Sequence, residues 1–79
     1  MPKAAPKLQN MVGPQIRKLR YTRGLTQEML AARCAVRGLD ISRATLSKIE
    51  AQLRCVVDWE LWAISRALGV GVETLFSPR

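Results

Sequence analysis

Apolar residues recur at helical spacing in four successive runs, and each run is bracketed by residues that start or stop helices. No run alternates with the period of two that a half-buried strand needs, so the pattern predicts an all-α fold. In the first run Val12, Ile16 and Leu19 share a face while Arg17, Lys18 and Arg20 fall away from it. Pro14 suits the first turn, where a missing N–H costs little, and Gly24 is the natural left-handed stop. Thr26 caps the second helix, Glu28 lies in its positive first turn, and Leu30, Ala31, Cys34 and Ala35 form its narrow apolar stripe up to Gly38. Ser42 caps a third helix with Leu46, Ile49 and Leu53 inward. Asp58 caps a fourth, with Val57 and Trp62 as a hydrophobic staple and Leu61, Ile64, Ser65 and Leu68 as the buried stripe. Gly69 and Gly71 break the pattern before a short fifth helix around Val72, Leu75 and Phe76.

A chain of 79 residues holds one small core, which places a single domain over residues 12–77. Residues 1–11 carry Pro2, Pro6, Lys3 and Lys7 without periodicity and read as a flexible basic arm. Thirteen Lys and Arg against six Asp and Glu give a net charge of +7, which favours a polyanionic partner such as nucleic acid. A bilayer is the competing polyanionic surface, but no segment reaches the roughly 20 apolar residues that span one, and no apolar signal core opens the chain. The expected location is cytoplasmic.

Histidine is absent, which removes the commonest general base and with it Ser-His, Cys-His and zinc-water mechanisms. No enzyme activity or metal is therefore expected, and with room for one small domain alone no cofactor or small-molecule ligand is expected either. Cys34 and Cys55 are too few for a disulfide scaffold and are expected to stay reduced, one on the inner side of helix 2 and one in the loop before helix 4.

The run from Arg23 through Gly24-Leu25-Thr26-Gln27-Glu28 to Ala32, followed by Ile41-Ser42-Arg43-Ala44-Thr45-Leu46-Ser47-Lys48-Ile49-Glu50, resembles the phage lambda-repressor and Cro-like (XRE-type) helix-turn-helix regulators. Arg66-Ala67-Leu68-Gly69-Val70 and Leu75-Phe76 are similar to that family's last two helices, so the likeness extends from about Val12 to Phe76. It implies a compact five-helix domain that binds double-stranded operator DNA, with helix 3 in the major groove. A groove about 12 Å wide admits only a slim polar helix face, and helix 3 offers one. Arg43, Ala44 and Lys48 fall at the base-facing positions the resemblance implies, and Ser42, Thr45 and Ser47 complete the DNA-facing set. The same resemblance has Gln27 reach the backbone and brace Arg43, and has Arg17 meet a phosphate. The small Ala31 fits the closest approach of helices 2 and 3.

Two features depart from the family. The stretch from Ala31 to Leu46 is about five residues longer than usual; a helical turn takes about 3.6, so helix 2 can run an extra turn to Arg37 and return through Gly38 and Leu39. Arg37 can then approach the DNA backbone. Where the family often has Asn-Gly after helix 3, this chain has Ala51-Gln52, which puts one phosphate contact and an easy left-handed stop in doubt. Trp59 points away from the helix 4 stripe and suggests a homodimer interface matched to a palindromic operator, while Trp62 is expected at the core rim. A transcriptional regulator, in its commonest form a repressor, is the leading function. The alternative is an antitoxin-like interaction module that keeps the fold without reading DNA; RNA binding is weaker, because no aromatic platform is evident.

Overall fold

In the computed structural model residues 8–76 are described, and among them the order is α1 (Gly13–Thr22), α2 (Gln27–Val36), α3 (Arg43–Glu50), α4 (Asp58–Leu68) and a 3-10 helix over Val72–Phe76, with no strand. The all-α expectation holds, and the fifth helix is a 3-10 turn. Packing is by α2 on α4, α1 and α2 on α3, and the 3-10 helix on α4.

Local chemistry sets most of the helix starts. The Thr26 hydroxyl accepts from the Met29 N–H (3.0 Å) and the Ser42 hydroxyl from the Thr45 N–H (3.1 Å), as side-chain caps of α2 and α3. At α4 the cap shifts back one residue. Val57 is the N-cap and Asp58 is already helical; Glu60 Oε1 accepts the Val57 N–H at 3.1 Å, and Asp58 Oδ1 accepts from the Trp59 N–H at 2.6 Å. The staple positions shift with it, to Val56 and Leu61, both half-buried against the core. Val57 and Trp62 are instead exposed.

Ile16, Leu30, Leu46, Ile49, Ile64, Leu68 and Leu75 are fully buried, each contributing about 1.5–3 kcal/mol of transfer free energy. Ala31 is half-buried against them. Several inward expectations fail. Leu53 lies beyond the end of α3 and is 67% exposed, because the helix stops at Glu50 and the chain leaves its axis. Ala35 is exposed on α2. Arg20, expected outward, is buried.

Gln52 ends the α3 turn with a left-handed backbone, φ +64°, so the left-handed stop is kept without a glycine. Its own side chain secures that conformation, Nε2 donating to the Asn10 carbonyl at 3.0 Å. The Gln52 carbonyl accepts from the Gln9 N–H at 3.0 Å, and Asn10 Nδ2 donates to the carbonyls of Ile49 (3.1 Å) and Arg54 (2.8 Å). Gln9 and Asn10 are thus tied to the end of α3 rather than belonging to a free arm; residues 1–7 lie outside the described residues.

Candidate nucleic-acid interface

Residues of α1, α2 and α3 enclose a groove of about 500 Å³, lined by Arg17, Arg20, Tyr21, Gln27, Arg43, Ser47 and Glu50 among others. Four residues singled out in the sequence, Arg17, Gln27, Arg43 and Ser47, therefore meet around one concavity. Ala44 and Lys48 are exposed on α3, and Thr45 is half-buried. Ser42 and Thr45 are engaged with each other, Ser42 Oγ donating to Thr45 Oγ1 at 3.0 Å, so both belong to the start of α3 as much as to its surface.

The base of the groove is a buried ion pair between two residues that the sequence analysis did not pair. Arg20 Nε donates to Glu50 Oε2 at 2.7 Å and Nη2 to Glu50 Oε1 at 3.0 Å, a two-point geometry joining α1 to the last residue of α3. Arg20 Nη1 also donates to the Leu25 carbonyl at 2.8 Å. The hydrogen bonds that Glu50 accepts, with its charge, hold the Arg20 guanidinium pKa above its ordinary value against the opposing effect of burial. The signal was in the spacing: Arg20 is four residues after Ile16 and Glu50 four after Leu46, which puts both on buried faces.

Gln27 joins this pair, its Nε2 donating to Glu50 Oε1 at 3.1 Å. The brace runs from Gln27 to the end of α3 instead of to Arg43 at its start, because Glu50 offers a charged acceptor within reach. On the opposite wall the Tyr21 ring carries the Arg20 guanidinium 4.7 Å and the Arg17 guanidinium 5.5 Å from its centroid. Arg17 Nη2 lies 3.5 Å from the Tyr21 hydroxyl; that contact first, then the charge, raises the Arg17 pKa and lowers that of Tyr21. Arg37 does not line this groove. It forms the C-cap of α2 and lines a separate concavity with Arg33, Val36, Arg66 and Ala67, at the seam of α2 and α4.

Cys34 is fully buried and Cys55 exposed, in separate places as expected. Burial pushes the Cys34 thiol up to about 11. Trp59 and Trp62 are 47% and 48% exposed, so the assignment of Trp62 to the core rim fails; the Arg66 guanidinium lies 5.9 Å from its ring centroid.

The sequence pattern of the family described as Helix-turn-helix matches residues 16–75. The chain belongs to the helix-turn-helix family. Among solved members of similar fold, the restriction-modification controller protein C.AhdI from Aeromonas hydrophila shares 28% identity at a TM-score of 0.74, over 82% of this chain and 91% of that one. SinR, a master regulator for biofilm formation crystallised in complex with DNA, shares 28% at 0.71, over 85% and 100%. The hypothetical transcription factor NHTF from Neisseria shares 25% at 0.75, over 99% and 87%. No curated protein matches the chain. The expected lambda-repressor-like, XRE-type likeness is thus borne out, with α2 and α3 as the helix-turn-helix pair. No helix among the described residues is long and apolar enough to cross a membrane.

Proposed function

We propose that the protein is a non-enzymatic, cytoplasmic transcriptional regulator, acting as a repressor, that binds double-stranded operator DNA with α3 in the major groove. The observation that carries this reading is the single groove in which exposed α3 residues, Arg43 and Ser47, face Arg17 and Gln27, in a chain of this family. Arg43 opens α3, where its planar fork suits the O6 and N7 acceptors of guanine; Ala44 and Lys48 extend the same face. Arg17 and Gln27 take the backbone on the α1–α2 side, while Ser42 and Thr45 fix the direction in which α3 enters the groove. Arg37 takes a flanking phosphate from the α2–α4 seam. That the similar SinR structure contains DNA supports the reading.

Binding isotherms at several salt concentrations, on a site selected from random duplexes and on a scrambled duplex, test it. Arg43→Ala costs about 1–3 kcal/mol on the selected site and relaxes one base position. Arg17→Ala weakens both duplexes alike and lowers the salt slope by about 0.9 for each phosphate no longer neutralised. Equal losses on both duplexes for Arg43→Ala would remove its base-reading role. A parent protein that binds no duplex at low salt would turn the reading to an interaction module.

A homodimer on a palindromic operator completes the proposal. Its support is the large apolar side chains that α4 and the 3-10 helix leave exposed, Trp59, Trp62, Val72 and Phe76 being between 37% and 48% accessible. Trp59→Ala then shifts sedimentation toward monomer and weakens operator binding, while Trp62→Ala, at an equally exposed ring, does the same without the loss of stability a core position would bring. Monomeric parent protein at binding concentrations refutes the dimer.

A further inference from the structure

Tyr21 is a large ring left 61% exposed on the wall of the groove, and its surroundings are ordered from beneath. Arg20 is pinned by two hydrogen bonds to Glu50 and one to the Leu25 carbonyl. Its guanidinium forms a fixed plate under the Tyr21 ring, 4.7 Å from the centroid, while Arg17 stands against the same ring at 5.5 Å. The order therefore passes from Glu50 at the end of α3 through Arg20 and Tyr21 to Arg17. An arginine on an exposed helix face otherwise samples many rotamers, and ordering it only on binding costs free energy.

The hydroxyl has chemistry of its own. With Arg17 Nη2 3.5 Å away on the acceptor side, the phenolic proton is left to donate, and both donors belong to residues lining the groove. A phosphodiester oxygen is the acceptor that suits a cation and a neutral hydroxyl side by side, and it is the group a duplex presents along its whole length.

We propose that Arg17 and Tyr21 form a two-donor subsite for one backbone phosphate of the bound duplex, in which the Tyr21 ring also positions Arg17. The subsite rests on the duplex-binding reading above and adds to it a residue on which the sequence pattern was silent.

The two roles of Tyr21 separate by substitution. Tyr21→Phe keeps the ring and removes the hydroxyl; Tyr21→Leu removes both. With a neutral hydrogen bond removed, Tyr21→Phe weakens binding about three- to tenfold on selected and scrambled duplexes alike and leaves the salt slope unchanged, because no counterion is involved. Tyr21→Leu weakens binding further and flattens the salt slope as well, Arg17 being no longer held. A duplex carrying one methylphosphonate per half-site locates the subsite. At one position the uncharged linkage weakens the parent but no longer weakens Arg17→Ala, and its effect on Tyr21→Phe is reduced. Since Tyr21 is exposed, thermal unfolding of both variants stays close to that of the parent, which separates the effect from loss of fold. Parent-like affinity for Tyr21→Phe overturns the hydroxyl contact, and identical behaviour of the Phe and Leu variants overturns the positioning role. Failure of the parent itself to bind any duplex refutes the regulator reading and takes the subsite with it, an outcome distinct from either.

Discussion

Replacing Glu50 by alanine removes the group on which the α1–α3 junction is built. The pair it forms with Arg20 is shielded from water, with side-chain exposures of 3% for Glu50 and 8% for Arg20. Glu50→Ala leaves the guanidinium buried with one carbonyl, that of Leu25, and the Tyr21 ring as its remaining partners. Truncating one member of a buried pair costs about 3–5 kcal/mol, most of it the penalty of the orphaned charge. The two surviving partners bring the expectation to the lower end, about 3 kcal/mol. Gln27 adds little, since its half-buried amide can turn to water. For a domain of this size that loss lowers Tm by on the order of 15 °C. Urea unfolding followed by circular dichroism measures it, provided the m-value stays constant across the variants. The control is the double replacement Arg20→Met with Glu50→Leu, which removes both charges together and is expected to recover at least half of the loss. A Glu50→Ala cost below about 1 kcal/mol, or a double variant less stable than the single, would refute the argument that the buried charge needs its partner.

At the other end of α3, Ser42→Ala removes the hydroxyl that accepts the Thr45 N–H and costs about 1 kcal/mol by thermal unfolding, while Ser42→Asp keeps the cap and the stability. Acid weakens the fold through Glu60, whose carboxyl pKa is held below its ordinary value first by its hydrogen bonds from Arg54. A depressed carboxyl stabilises above its unfolded value and loses that contribution as pH falls through its folded one, so Tm falls from about pH 4.5 downward and Glu60→Gln flattens that part of the profile. Alanine at Gly13 and at Gly38 costs stability for different reasons. At Gly13 a Cβ meets the Ile49 carbonyl and lies 2.9 Å from that of Glu50, an overpacking of about 1–3 kcal/mol, whereas Gly38 has open space and a φ of +88°, so only about 1–2 kcal/mol of backbone strain arises. A thiol reagent added to native protein labels Cys55 and spares Cys34 until unfolding, because Cys34 is fully buried with its pKa pushed up to about 11.

The helices were legible where sequence signals are local. Thr26 and Ser42 cap as their chemistry demands, and Ile16, Leu30, Leu46 and Ile64 fall inward at the spacing that names them. What escaped depends on partners distant in the chain. Arg20 reads as outward on its charge, although its position on α1 is inward, and only the facing Glu50 makes that burial tolerable. Leu53 continues the α3 period, but Gln52 has already turned the chain through a left-handed residue. The Gln9 and Asn10 hydrogen bonds join chain segments some forty residues apart, beyond the reach of any periodicity. In the candidate site, the exposure of Arg43, Ala44, Ser47 and Lys48 could be read from one helix face, whereas the meeting of Arg17 with Gln27 and Arg43 around a groove was supplied by the resemblance and not by spacing.

The lengthened connection between α2 and α3 shows why an insertion need not disturb a recognition helix. After α2 the chain reverses through Gly38, and the Leu39 N–H donates back to the Cys34 carbonyl at 3.0 Å. Leu39 and Ile41 then enter the core, at 4% and 8% exposure, so the added stretch brings its own apolar anchors and lies against the protein. The α3 helix is consequently fixed at both ends. Leu39, Ile41 and the Ser42 cap hold its start; the Glu50–Arg20 pair and the Asn10 and Gln52 hydrogen bonds hold its finish. Between them Leu46 and Ile49 are fully buried. With both ends and the inner face held, the exposed side chains of Arg43, Ser47 and Lys48 are presented from a rigid element, which lowers the ordering free energy of any interaction they make.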